Sequence, residues 1–598
     1  MPPALPLRAV PVPDPATPTA GTQPDPARAA RSLVELLARR ASVQHDAVAY
    51  TCLDQGEEPS DTLTYGELDR QARIVGACLR ARLPPGSRVL LIFPNQLDFL
   101  PAFFGCLYAG LIAVPMPPPR TAQAVGRLLH VAARAGTRVA LCSPDLREEL
   151  ERRLAAAEGA DLDCIFTDGI DAEADPAWRP ADPAGNEIAV LQFTSGSTGN
   201  PKGVCVTHAN VLHNSALLES VCGSAPDLKL VAWLPNFHDW GLVGCLMFPL
   251  FVGRPSFVFD PAAFLFRPRR WLEAISRVRG TISCAPNFAY ETCIRAAERE
   301  PGPPLDLSCW RMALVGAEPV RRDTLERFAA AFAPSGFRAD AFFPCYGLAE
   351  STLIVSGGRP SAPPVTLRVD RAALEERRVR VVSGRGGPEA RDLVGCGRSL
   401  LDQRIVIADP ETGERCDPDE VGEVWVSGGS VARGYWGDPD LSHATFGAQI
   451  AGEVGQPYLR TGDLGFLLDG ELFICGRLKD VIIKAGQNYF AEDIEHTVER
   501  SHPGLRPNCC AAFGVEAAGA ERMVIVQELE YGRKGDARAI IGGIQMAVSK
   551  QHDVMADAIV LIRPGSLEKT GSGKVRRQTT RTLFLAAELP VLAAWQSW

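Results

Sequence analysis

Residues 193–203 read F-T-S-G-S-T-G-N-P-K-G and bring together four hydroxyls (Thr194, Ser195, Ser197, Thr198), three glycines (Gly196, Gly199, Gly203) and the Lys202 ammonium. That make-up suits polyphosphate. Glycines let backbone N–H groups approach anionic oxygens, hydroxyls add donors that rotate to fit, and the lysine supplies a point charge. The spacing departs from the Walker loop G-x-x-x-x-G-K-[ST]. Apolar runs at 188–193 and 204–206 flank the segment, which argues for a loop between two strands rather than a flexible linker.

Three other segments have the same strand-then-polar-loop form. One ends at His238 and Asp239, one at Gly316, Ala317, Glu318 and Pro319, and one at Tyr346, Gly347, Leu348, Ala349 and Glu350. Ligands of α/β folds bind beyond the carboxyl ends of strands, so these exits are expected to line one crevice.

The surrounding pattern must position them. Residues 64–68 (T-Y-G-E-L) carry a capping box at the start of a helix. Residues 88–93 form a continuous apolar run of the kind buried in a parallel sheet. Helices and strands then alternate to residue 193, an α/β rhythm. Beyond Gly395 short alternating strands predict a small β-rich subdomain. The fold class is therefore α/β: a large N-terminal domain of layered α/β subdomains plus the small β-rich one, over 31–476, followed by a smaller mobile α+β domain over 477–598. Residues 1–30, rich in Pro, Ala and Thr, are expected to be a disordered tail without signal-peptide character.

The balance of 62 basic against 71 acidic residues, net -9, is wrong for a nucleic-acid partner or an anionic membrane surface. Residues 99–119 lack charge but are broken by Pro101, Gly105, Gly110 and Pro115, so a short buried helix and a strand are expected in place of a span. Seventeen cysteines without C-x-x-C pairs fit free thiols in a reducing cytoplasm.

With T-S-G-S-T-G-N-P-K-G, G-A-E-P, Y-G-L-A-E, Y-L-R-T-G-D-L, G-R-L-K-D and K-T-G-S-G-K in this order, the chain from about residue 32 resembles the adenylate-forming superfamily of acyl-CoA synthetases, luciferases and peptide-synthetase adenylation domains. W-L-P-N-F-H-D-W-G-L-V-G, P-N-F-A-Y and F-F-P-C-Y-G-L-A-E-S-T are similar to its fatty acyl-AMP ligase branch. The resemblance implies ATP and Mg²⁺ as cofactors, residues Thr194 to Lys202 on the β- and γ-phosphates, and Glu350 at the metal. It places Gly316, Ala317 and Tyr346 at the adenine, and Asp463 and Arg477 at the ribose. It makes Lys574 the catalytic lysine, acting by charge, and Lys479 the hinge.

It further implies a fatty acid substrate and acyl transfer to the phosphopantetheine of a separate acyl carrier protein. An insertion at about 359–393, patterned strand-helix-strand, is expected to hinder free CoA. Arg576, Arg577 and Arg581 are candidates for docking the acidic carrier. A fatty acyl-CoA synthetase and a non-catalytic nucleotide- or lipid-binding protein on the same fold are the alternatives.

Overall fold

The computed structural model describes residues 25–598 other than 95, 158, 171–177, 195–200, 301, 384–388, 485, 518–519, 533–535 and 571–572. The expected α/β layering is present. A six-stranded sheet runs in the order Asp163–Phe166, Val139–Cys142, Arg88–Ile92, Ile112–Met116, Ile188–Thr194, Lys202–Thr207. Its first five strands are parallel and the last returns antiparallel, with Thr194 directly opposite Lys202. Ser195, Gly196, Ser197, Thr198 and Gly199 lie outside the described residues, but both ends of their loop are fixed by this pairing.

A nine-stranded sheet contains the three other strand exits. Leu230–Ala232, Ile282–Pro286, Met312–Gly316 and Phe342–Gly347 are consecutive parallel neighbours, so their carboxyl ends open on one edge. The helix Tyr65–Arg82 begins with the expected capping box: Thr64 Oγ1 accepts from Glu67 N–H at 3.1 Å and Glu67 Oε2 accepts from Thr64 N–H at 2.9 Å. Residues 99–119 divide as expected into the helix Gln96–Tyr108 and the strand Ile112–Met116. Phe99, Phe103 and Phe104 are fully buried in the main core. Among the described residues no helix is long and apolar enough to cross a membrane.

The β-rich subdomain is an antiparallel sheet of Arg404–Ala408, Gly422–Ser427, Leu459–Leu468 and Glu471–Arg477. The Leu459–Leu468 strand is absent from the sequence expectation because its first half, L-R-T-G-D, is polar and glycine-bearing. It is specified by the turn that follows, where Asp469 (φ 50°) and Gly470 (φ 79°) supply the two left-handed residues of a tight hairpin.

The C-terminal unit packs the helices Ala491–Arg500 and Ala537–His552 on a sheet of Leu505–Ala517, Ala520–Leu529, Ala558–Ile562 and Val591–Gln596. Ahead of it, Arg477 closes a strand of the β-rich subdomain and Lys479 sits in the 3-10 turn Leu478–Asp480. At the other end, the last residues of the expected tail are ordered against the core. Pro26–Ala29 form a 3-10 turn capped by Asp25, and Ala27 is fully buried.

The insertion forms the hairpin Thr366–Asp370 and Ala390–Val394 with the short helix Arg371–Glu375. Val369 and Leu374 are buried, while Val365 and Val381 remain exposed. This element touches the C-terminal unit at three places. Arg371 donates to His552 Nδ1 at 3.1 Å, Asn488 Nδ2 donates to the Glu375 carbonyl at 3.0 Å, and Arg391 pairs with Asp493 at 3.0 Å.

Candidate active site

Asp463 and Arg477 are register partners on adjacent antiparallel strands. Arg477 Nε donates to Asp463 Oδ1 at 2.8 Å, and the Tyr346 hydroxyl, from the end of Phe342–Gly347, donates to Oδ2 at 2.7 Å. The Asp463 carboxylate raises the Arg477 guanidinium above its ordinary value, and burial followed by the same carboxylate pushes the Tyr346 phenol up. A buried carboxylate with donors on both oxygens is fixed in place, and its remaining lone pairs can receive a pair of hydroxyls.

The second cluster stands where Lys202 pairs back against Thr194. Lys202 Nζ lies over the Tyr435 ring, 4.9 Å from its centroid, and the Tyr435 hydroxyl donates to Glu350 Oε1 at 2.9 Å. Burial, then the charge of Lys479, pulls the Lys202 ammonium below its ordinary value. Tyr435 thus links the Lys202 ammonium and the Glu350 carboxylate, a role that no motif in the sequence announces. Its only signal is a tyrosine following Gly434, in the strand-free segment opposite Val204.

Mg²⁺ keeps most of its shell as water and phosphate oxygen and takes one or two carboxylates from the protein. Among the described residues there is no cluster of three acidic, His or Cys side chains able to cage a metal. Glu350, with one oxygen held by Tyr435 and the other not engaged by it, fits the single-carboxylate case.

The third cluster contains the lysine. Lys574 lines a cavity of about 1410 Å³ together with His238, Asp239, Glu318, Tyr346, Glu350, Asp463, Arg477 and Lys202. It therefore reaches the crevice from the C-terminal unit. It stands on a small hairpin in which Lys569 bridges Val575 and Thr570 N–H donates to the Lys574 carbonyl at 2.7 Å. Burial, then the Arg477 charge, lowers the Lys574 ammonium, with Asp239, Glu318 and Asp463 opposing.

His238 Nδ1 is 2.6 Å from Asp239 Oδ1. Burial alone would raise Asp239, but His238, the Trp240 N–H and Lys574 together hold it below the usual carboxylate range. Glu318 Oε1 accepts from the Phe288 N–H at 2.5 Å, and burial raises its carboxyl. Asp239 lies at the strand exit expected to line the crevice, and its pairing with His238 is what the structure adds.

Of the remaining expected contacts, Ala317, Gly347, Leu348 and Ala349 line this cavity, and Gly316 ends the strand immediately before Ala317. The glycines have a packing reason of their own. A Cβ on Gly316 would meet the Cys345 carbonyl oxygen at 2.5 Å, and one on Gly347 the Leu353 carbonyl oxygen at 1.8 Å. Tyr346 and Gly347 belong to the strand itself and not to the loop after it.

The basic run near Lys574 is not a free docking patch. Arg577 is engaged by Asp480 at 2.5 Å and Glu495 at 2.6 Å, and Arg581 donates to the Gly514 carbonyl at 3.0 Å. Arg576 faces the cavity. Of the three arginines expected to receive a carrier protein, Arg577 has its charge paired inside the C-terminal unit and Arg576 faces the crevice, so they do not form one exposed basic patch.

Residues 37–436 match the family described as AMP-binding enzyme, and residues 479–594 match the family described as Disco-interacting protein 2-like, AMP domain. Over 566 residues, 93% of this chain and 96% of the relative, the sequence is 42% identical to the medium-chain-fatty-acid (acyl-carrier-protein) ligase JamA of Moorena producens. It is 35% identical over 601 residues, 93% of this chain and 95% of the relative, to the long-chain-fatty-acid–AMP ligase FadD32 of Mycolicibacterium smegmatis. The fold is similar to the crystal structure of the fatty acyl-adenylate ligase from L. pneumophila in complex with acyl adenylate and pyrophosphate. That likeness has a TM-score of 0.75 at 35% identity and covers 96% of this chain and 100% of that one.

Proposed function

Because the chain belongs to the AMP-binding enzyme family, we propose that it activates a fatty acid with ATP and passes the acyl group to the phosphopantetheine thiol of a separate acyl carrier protein. In the first step a fatty carboxylate oxygen bonds to the α-phosphorus while the bond to the β-phosphate bridging oxygen breaks. Acyl-adenylate and pyrophosphate are formed. In the second step the carrier thiol attacks the acyl carbonyl, AMP leaves, and the thiol proton is released. The names of the relatives support this substrate class.

The observation that carries the reading is the position of Lys574. A carboxylate approaching a polyphosphate is an encounter of anions, so the site must supply fixed positive charge where negative charge accumulates. Lys574 delivers an ammonium from the mobile side, and Lys202 delivers one from the loop. Asp463, held by Arg477 and Tyr346, receives the ribose hydroxyls. Gly316, Ala317, Glu318 and Gly347–Ala349 form the adenine wall, and His238, fixed by Asp239, stands on the wall shared with Lys574. Glu350 would hold magnesium on the protein side, and the ion would supply positive charge against the phosphates.

Lys479 serves as hinge between the two units, and the insertion restrains the C-terminal unit through Arg371, Glu375 and Arg391, which favours the carrier thiol over free CoA. Seventeen free cysteines support a cytoplasmic setting. Incubation with fatty acid, ATP, Mg²⁺ and either CoA or a phosphopantetheinylated carrier protein tests the proposal. Acyl-carrier product with little acyl-CoA is the expected result. Abundant acyl-CoA would establish the synthetase alternative, and no pyrophosphate release would leave a binding protein.

A further inference from the structure

At the base of the Lys574 hairpin two guanidiniums converge on one carboxylate oxygen. Arg127, from the helix Ala122–Ala135 of the N-terminal domain, and Arg576, from the hairpin, each stand 3.8 Å from Glu568 Oε2. That separation gives electrostatic attraction but is too long for a hydrogen bond. Glu568 is itself anchored, because its Oε1 accepts from Gln123 Nε2 at 2.5 Å. Neither arginine makes any other ion pair among the described residues, and Arg576 Nε is buried without a hydrogen-bond partner. Two forks of five N–H donors each therefore share one negative charge.

The arrangement is electrostatically unsatisfied. Burial, then the positive charge of Arg127, pulls the Arg576 guanidinium below its ordinary value. Both arginines line the same cavity as Thr194, Pro201 and Lys202, which bracket the phosphate loop. A dianionic or more highly charged group entering between them would bring the charge and the acceptors that Glu568 alone does not provide.

We propose that Arg127 and Arg576 form a pyrophosphate seat, receiving the β,γ end of ATP before the bond to the α-phosphate breaks and retaining the leaving anion afterwards. Glu568 is the placeholder that keeps the two guanidiniums apart and oriented when the anion is gone. Because one arginine comes from each domain, the seat exists only while the Lys574 hairpin covers the crevice. Departure of pyrophosphate then removes an ionic bridge between the domains and frees the C-terminal unit to move. This inference rests on the ligase reading above and assigns it two positioning residues.

The test is fatty-acid-dependent ATP–pyrophosphate exchange by the full chain, with KM measured separately for pyrophosphate and fatty acid. Arg127→Ala and Arg576→Ala should each raise the KM for pyrophosphate about tenfold or more, as expected for loss of hydrogen bonds to a charged group. The KM for fatty acid should stay within about twofold, well inside the effect of one such bond. Glu568→Gln, which keeps the acceptor for Gln123 but removes the competing charge, should move the pyrophosphate KM the other way.

A mere clamp between domains predicts a different set: loss of kcat in all three variants with the pyrophosphate KM unchanged, and that result would overturn the seat. A raised KM for carrier protein with an unaltered KM for pyrophosphate would overturn it too, reassigning the arginines to the phosphate of the pantetheine arm. Arg127 is two-fifths exposed, so its alanine variant folds without leaving a buried hole. If the wild-type chain shows no exchange, the ligase reading itself fails; exchange in the wild type with unchanged variants fails the seat alone.

Discussion

Arg477 Nε donates to Asp463 Oδ1 at 2.8 Å from directly across a strand pair. The carboxylate is therefore oriented before any ligand arrives. Asp463→Asn would keep the shape but place an amide N–H where Arg477 or Tyr346 now donates, leaving a buried donor facing a donor. Hydrogen bonds to charged groups contribute about 1.5–3 kcal/mol, so kcat/KM for ATP should fall roughly 10- to 100-fold. Tyr346→Phe removes one donor to the same carboxylate without adding a clashing one and should cost less, about tenfold, the lower end of that range. Steady-state kinetics with varied ATP checks the order; equal losses would remove Asp463 from the nucleotide site.

Acid should destabilise the N-terminal domain through His208. Its ring is buried, Nδ1 accepts from the Leu33 N–H at 3.3 Å, and burial holds it at about 4. An unfolded histidine titrates near 6.5, so between these values the unfolded chain binds the extra proton. The contribution is full above pH 6.5 and is lost as pH falls toward 4, about 3 kcal/mol in all. His208→Asn keeps an acceptor without titrating. Urea unfolding from pH 7 to 4.5 should show a pH slope shallower by about one proton in the variant, and identical slopes would contradict the assignment.

The legible parts of the sequence were those where local chemistry and tertiary role coincide. Thr64 and Glu67 cap their helix by themselves, and the helix Ala491–Arg500 follows from its apolar spacing. Lys574, Asp463 and Glu350 could be singled out because ordered motifs surround them. Tyr435 could not, since its importance arises from the meeting of Lys202 and Glu350, which lie 148 positions apart in the chain. The Arg127–Glu568–Arg576 group joins helix and hairpin across the domain boundary and has no local pattern. Arg577, in the basic run 576–581, shows the converse. The composition of that run resembles a solvated face, but burial against Asp480 and Glu495 decides what Arg577 does.

Loosening the insertion should open the site to CoA. Asn488 donates to the Glu375 carbonyl, and Arg371 to His552 Nδ1. These bonds exist only while the C-terminal unit stays against the insertion. Each contributes about 1 kcal/mol, so Asn488→Ala with Arg371→Ala should shift the population toward the swung arrangement by roughly tenfold or more. Acyl-CoA formation should rise while pyrophosphate release in the first step changes little. Asp493 is a poorer choice for this test because it pairs with both Arg391 and Arg321 in a buried setting, where removing one charge destabilises the fold. No gain in CoA turnover from the double variant would exclude restraint by these contacts.

Lys574 must be charged to act, and its surroundings make that charge costly. Burial and Arg477 lower its ammonium, opposed by Asp239, Glu318 and Asp463. The alkaline limb of kcat/KM for adenylation, which reports the free enzyme, should therefore lie below the ordinary lysine value of about 10.4. Lys574→Ala should cut adenylation by about two to three orders of magnitude, as for loss of a major oxyanion donor. On the proposed hinge motion about Lys479, transfer from supplied acyl-adenylate to carrier protein should proceed at close to the wild-type rate, because the hairpin would have left the crevice. Equal loss in both half-reactions would mean that Lys574 holds the fold or the adenylate, not the transition state of the first step. Lys574→Arg separates charge from geometry: a bulkier planar fork in place of a compact ammonium keeps the charge but misplaces it, so recovery should be partial, and full recovery would show that position at the α-phosphate is unimportant.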